Sequence, residues 1–185
     1  MLKTTDNLKE IFEIVNKNDQ VIGQATRQEC HHDKSLIHRA AHLYIFNKKG
    51  EVLLQKRSQT KDTYPGYWTA SVSGHLDFGE AYEKAILREA QEELGIILNR
   101  KELNHLGCFI SKMPHETELT GLYLTFYSGT FDFSHQEIAG LDWFDLESLF
   151  VQVNNQDLKT TFSTHQFLTD FKIKTAMRNF IKAVK

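Results

Sequence analysis

The sequence is poor in the residues that mark linkers, secreted scaffolds and membrane spans. It holds two prolines, Pro65 and Pro114, and no Ser/Gly-rich run, so nothing marks a hinge between domains. Two cysteines, Cys30 and Cys108, are too few for a disulfide framework and suit a reducing compartment. No apolar run approaches the ~18 residues of a membrane span. The opening MLKTTDNLKE lacks the apolar centre of a signal peptide. Neither sign of charge dominates: 22 Lys and Arg against 24 Asp and Glu leave a net charge of −2. That balance supplies no basic field for a nucleic-acid polymer or an anionic membrane. A cytoplasmic location is the expectation. The 185 residues suffice for one domain with a sizeable core. Residues 1–10 are polar and expected to be mobile, with the single domain over 11–185.

What is present is a strand-rich pattern. Ile11–Val15 and Gln20–Ala25 flank a turn-like Asn16–Asp19 and read as a hairpin. Ala40–Phe46, Glu51–Arg57, Thr69–Ser73, Leu119–Phe131 and Leu141–Phe144 read as strands, and Ile96–Leu98 with Leu103–Ser111 as a strand pair or one broken strand. Helices are expected over Glu80–Leu94, after Asp145 as cap, and along Thr164–Val184, where Phe167, Phe171, Met177, Phe180 and Val184 keep helical spacing. Strands with helices at the middle and end argue an α/β layered domain.

The organising stretch is Gly74–Ile96, GHLDFGEAYEKAILREAQEELGI. On a helix, Glu89, Glu92 and Glu93 fall at i, i+3 and i+4 and share a face. Like charges there repel by about 0.2–0.5 kcal/mol per pair, and they meet the negative end of the helix dipole. Either the face is merely solvated, or a cation compensates it.

The stretch resembles the Nudix signature: Gly74, Glu80, Arg88, Glu89, Glu92, Glu93, Gly95 and Ile96 fall on its defined positions, with Ala90 in an apolar slot. The resemblance implies a Nudix-type α/β/α sandwich with a mixed β-sheet. It implies a metal-dependent hydrolase that cleaves a diphosphate linked to another moiety, with Mg²⁺ or Mn²⁺. Glu89, Glu92 and Glu93 would be ligands and one of them a base. Arg88 would orient a glutamate, and Glu80 and the Gly74 backbone would complete the site. Glu118 is the candidate carboxylate from outside the motif. Lys56 and Arg57 are candidate phosphate contacts, a solvated strand end being the competing reading for one of them.

Beyond the motif, about Val15–Phe162 resembles the Nudix branch of type I isopentenyl-diphosphate isomerase. The resemblance is carried by the His31…His38 spacing, PGYWTASVSGH over Pro65–His75, and Glu116-Thr117-Glu118. It implies a second metal site of His31, His38, His75, Glu116 and Glu118, ligands that suit Mn or Zn. A lone buried histidine is also explained by structural hydrogen bonding, and Cys30-His31-His32 does not amount to a four-ligand zinc site. Trp68 and Trp143 are expected to pack rather than stack on substrate. Three features depart from the isomerase. Ser73 stands where it has a reactive Cys, His165 aligns with its cation-stabilising Trp, and the Nudix motif is intact. The expectation is therefore a hydrolase of a nucleoside diphosphate derivative or similar small diphosphate, with the isomerase as alternative and a non-catalytic binding module third. Specificity is expected in residues 26–38, 58–68 and 111–118.

Overall fold

A computed structural model describes residues 6–183. Residues 1–5 of the polar N-terminus and Val184 of the expected last helix lie outside them. The first hairpin is β1 (Ile11–Val15) and β2 (Val21–Thr26), followed by a single helical turn, α1 (Arg27–Cys30), closed by a capping box between Thr26 and Glu29. Asp6, just ahead of β1, is tied down: Lys61 and the Asp62 backbone N–H both donate to it.

Next come β3 (Ile37–Phe46) and β4 (Glu51–Arg57). The single strand expected over 69–73 is instead two, β5 (Trp68–Thr69) and β6 (Val72–His75), which pair with β4 and β3 respectively. The change of partner falls at Ser71. Its hydroxyl donates to Leu53 O at 2.6 Å and accepts from Ile45 N at 2.8 Å, so a side chain wedges between β3 and β4 and splays them. The motif helix α2 (Tyr82–Leu94) ends at Gly95, whose φ of 66° is the left-handed value that favours glycine.

Residues 96–98 form no strand; β7 is Asn104–Lys112. The long strand β8 (Thr117–Phe126) stops short of the expected Phe131, as the Ser128-Gly129 turn signal dictates. β9 (Ile138–Asp145) leads into α3 (Leu146–Asn154), which Asp145 caps through Ser148 N. The C-terminal helix breaks into α4 (Phe162–Thr169) and α5 (Phe171–Lys182) because Asp170 turns extended and caps α5 through Ile173 N.

One mixed nine-stranded sheet results. β3 is its axis. It runs parallel to β8 along its full length, and its other edge is shared by β1, β6 and β4. Both faces are covered. Tyr44, Phe46, Leu122 and Leu124 pack under α3, α4 and α5; Leu43, Ile45, Val72 and Tyr123 pack under α2. That double burial is why AAHLYIF reads as a continuous apolar run instead of an alternating one. Among the described residues no helix is long and apolar enough to cross a membrane.

Candidate active site

The splayed strands open a cavity of about 450 Å³. Strand alternation puts His38, Ala40 and His42 of β3 on one face. The register sets Glu118 of β8 beside His38, and His75 and Ser73 of β6 opposite Ala40 and His42. The chain's titratable residues are thus gathered by strand pairing, from positions far apart in sequence.

At one end His31, His38, His75 and Glu116 converge, each offering a ligand atom within 4.8 Å of the others. Glu118 joins them, its Oε1 3.4 Å from His75 Nε2. His31 Nε2 lies 2.9 Å from Glu116 Oε2 but out of hydrogen-bond alignment. His31 Nε2, His38 Nε2, His75 Nε2 and Glu116 Oε2 are all buried with no hydrogen-bond partner. Each such atom costs about 1–3 kcal/mol. A divalent cation would satisfy the four together, and imidazole with carboxylate suits a transition-type ion. Burial pushes the His38 imidazolium down to about 3 and that of His75 well below its usual value, so both rings are neutral and carry lone pairs near pH 7. Phe12 stacks on both rings, with centroids 5.2 and 4.5 Å away, and fixes their planes. Cys30 takes no part. It is buried against Phe12 and Ile14, and burial raises its thiol to about 12.

The α2 carboxylates reach the same cavity from the other face of the sheet. Gly74 permits this, since a Cβ there would fall on the Glu89 carboxylate. Arg88 resolves much of the repulsion expected on this helix. It donates to Glu80, to Glu89 at 2.8 Å and to Glu92 at 3.1 Å, and to the His75 carbonyl. Glu92 remains largely exposed. Glu93 is buried, accepting from Gln55 Nε2 at 2.9 Å and Ser73 N at 3.1 Å. Burial, then the charge of Glu89, raises Glu93 above the usual carboxylate range; burial, with a further push from Glu92, raises Glu89. Glu118, grouped by sequence with these carboxylates, lies instead against His38 and His75.

The wall between the two acidic groups is cationic. Arg57 lines it, held by Thr63 O and Thr63 Oγ1, and forms no ion pair among the described residues. Lys56 does not line it. Alternation turns Lys56 away, over the Trp68 ring at 5.9 Å. Two cations that the sequence did not single out complete the wall: Arg27, paired with Asp62 and donating to His75 Nδ1 at 3.1 Å, and Lys61, paired with Asp6 and Glu137. Tyr64, also unforeseen, lines the cavity from a left-handed backbone at φ 49°, a conformation that costs of order 1–3 kcal/mol and clusters at functional sites. His165 lies on α4, one turn beyond the lining residue Thr161, and is not itself among the residues that line the cavity. Trp68 and Trp143 pack on Phe144 and Phe131. All three segments expected to hold specificity do reach the cavity, and residues 161–163 reach it as well.

Residues 36–167 match the NUDIX domain family. The chain belongs to the Nudix family. Within it, the chain is 33% identical over 152 residues to isopentenyl-diphosphate Delta-isomerase 2 of Photorhabdus laumondii, covering 80% of this chain and 84% of that one. It is 34% identical over 149 residues to the isopentenyl-diphosphate Delta-isomerase of Paenarthrobacter aurescens, covering 74% and 77%. The fold is shared with DR0079 from Deinococcus radiodurans, at a TM-score of 0.71, 24% identity and coverage of 92% and 98%. These relatives overturn the expectation of a hydrolase of nucleoside diphosphate derivatives: this Nudix domain's similar curated sequences are named as isomerases. The motif's carboxylates are largely engaged by Arg88, Gln55 and Ser73, whereas the unsatisfied ligand atoms gather at the histidine cluster.

Proposed function

We propose that this Nudix domain isomerises a small alkenyl diphosphate, moving its double bond between the 3,4 and 2,3 positions, as the names of its relatives describe. The single observation that carries this reading is the five-residue His31, His38, His75, Glu116 and Glu118 cluster in a chain whose isomerase relatives match it over most of its length. The reaction adds one proton to the terminal methylene and removes one from the carbon next to the diphosphate-bearing carbon. No bond to phosphorus breaks.

His31, His38, His75 and Glu116 would hold a Mn²⁺ or Zn²⁺ ion, with Glu118 at its edge; Glu89 and Glu93 would share Mg²⁺ or Mn²⁺ with the diphosphate. A bound cation supplies charge neutralisation and orients the groups around it. Arg57, Arg27 and Lys61 counter the diphosphate charge. Glu118 is the proton carrier on the cluster side. The Tyr64 ring offers an aromatic face to the cationic carbon that forms between the two proton transfers. The test is direct. Isopentenyl diphosphate with Mn²⁺ or Mg²⁺ is expected to yield dimethylallyl diphosphate, seen by NMR without phosphate release. Release of phosphate or pyrophosphate without any dimethylallyl product would sink the proposal.

Cation binding at Glu89 and Glu93 also predicts a pH signature. Unfolded carboxyls ionise near 4.5, and these two hold their protons to higher pH in the fold. A raised folded value gives stability that is complete below about pH 4.5 and lost as pH rises through the raised values. A divalent cation binds the ionised pair and reverses the loss. The rise in Tm on adding Mg²⁺ is therefore expected to be larger at pH 8 than at pH 6. A cation effect independent of pH in thermal-shift measurements would argue against binding at this pair.

A further inference from the structure

The end of the cavity remote from the histidine cluster is not built for an apolar tail. The floor runs from His38 through Ala40 to His42, roughly 13 Å along β3 at ~3.3 Å per residue. His42 lines the cavity there, 5% exposed, and its Nδ1 is buried without a hydrogen-bond partner. Burial lowers its imidazolium to about 4, so the neutral ring offers one donor and one acceptor. Facing it are Ser73, its cross-strand partner, and the hydroxyl residues Thr69, Thr161 and Ser163, which line the same end. Thr161 and Ser163 come from the start of α4, where Thr161 caps the helix. Thr69 Oγ1 lies 3.2 Å from Thr161 Oγ1 and 3.1 Å from Thr164 Oγ1, so the hydroxyls form a connected group.

A purely hydrocarbon tail in this position would leave His42 Nδ1 without a partner and return no hydrogen bond to the hydroxyls around it. A site with buried polar groups rejects the ligand that leaves them unpaired. We infer that the organic group carried by the diphosphate bears a hydroxyl that hydrogen-bonds in the pocket of His42, Thr161 and Ser163, making those residues the determinants of specificity. The inference rests on the reading of the substrate as a small alkenyl diphosphate and narrows its class to a hydroxylated one.

Two unreactive probes separate the inference from the reaction: 3-methylbutyl diphosphate and 4-hydroxy-3-methylbutyl diphosphate, alike except for a hydroxyl on a carbon that can carry one in the alkenyl group. With the Mn²⁺-loaded full chain, calorimetric titration is expected to give roughly tenfold tighter binding of the hydroxylated probe, since only that probe offers a hydrogen bond to the buried polar groups. His42→Leu is expected to abolish or invert that preference while leaving inorganic pyrophosphate affinity within about twofold. Ser163→Ala, a small change at a buried hydroxyl, is expected to reduce the preference and guards against a fold defect in the His42 variant. Equal or tighter binding of the 3-methylbutyl probe by the unaltered protein overturns the inference. So does an undiminished preference in both variants. Failure to isomerise isopentenyl diphosphate with the hydroxyl preference intact would reject the reaction and leave the pocket assignment standing.

Discussion

Glu116→Gln is expected to strip the histidine cluster of its divalent ion and to lower isomerase turnover by more than about 100-fold, the upper range seen when only an outer-shell partner of a metal ligand is lost. The substitution keeps shape and volume but replaces the one carboxylate that joins three imidazoles around a dication with an amide. Its value lies in the opposite effect on the cation-free fold. Glu116 is buried with an unsatisfied Oε2 beside His31 and His38. An amide there keeps the packing and can donate to a neighbouring imidazole nitrogen, so the Tm of the chelated protein is expected to hold or rise. Loss of bound metal, measured by elemental analysis, together with an undiminished apo Tm assigns Glu116 to the ion and not to the fold. A variant with full metal content and unchanged turnover would remove the cluster from the mechanism.

The contrast between the two acidic groups explains how much of this site was legible in the sequence. The Nudix motif is local. Its residues lie on one helix and one turn, so spacing identified α2, and the Nudix resemblance implied the partnership of Arg88 with a glutamate; the close approach of Glu89 at Gly74 is visible only in the fold. The histidine cluster is assembled by register: His38 meets Glu118 across β3 and β8, and His75 meets Ala40 across β3 and β6. One sequence carries no register, so only resemblance could bring these residues together. The hydrolase expectation, drawn from the intact motif, Ser73 and His165, gives way to the likeness of most of the chain to proteins named as isomerases. The fold was similarly readable where a pattern was local. The α/β layering and the cap at Asp145 followed from composition and spacing. The split of residues 69–73 did not, since it depends on Ser71 inserting between strands that are distant in sequence. Arg27, Lys61 and His42 gave no signal beyond their residue type. Their meaning comes from which wall of the cavity they line.

Ser73 is where the isomerase reading makes its sharpest demand. The residue lines the cavity, opposite His42 and two positions before His75, where the resemblance sets a reactive cysteine. A thiol with an ordinary pKa near 8.5 exchanges protons at neutral pH, which an alcohol does poorly. Positioned acid–base groups contribute about 10²–10⁴-fold. Ser73→Cys is therefore expected to raise kcat for isopentenyl diphosphate by on the order of 100-fold, with KM changed little because sulfur replaces oxygen on the same Cβ. The new activity should follow the ionisation of the thiol and vanish on alkylation, while Ser73→Ala stays within a few-fold of the unaltered protein. The two variants together locate the native proton step. If cysteine accelerates and alanine is silent, the residues for the cation and the diphosphate and Glu118 are already in place, and position 73 lacks only the proton carrier that a thiol supplies. If cysteine gives no gain although isomerisation is detectable, the second proton carrier lies elsewhere on the wall, and the hydroxyl of Ser73 belongs with His42 in recognising the organic group.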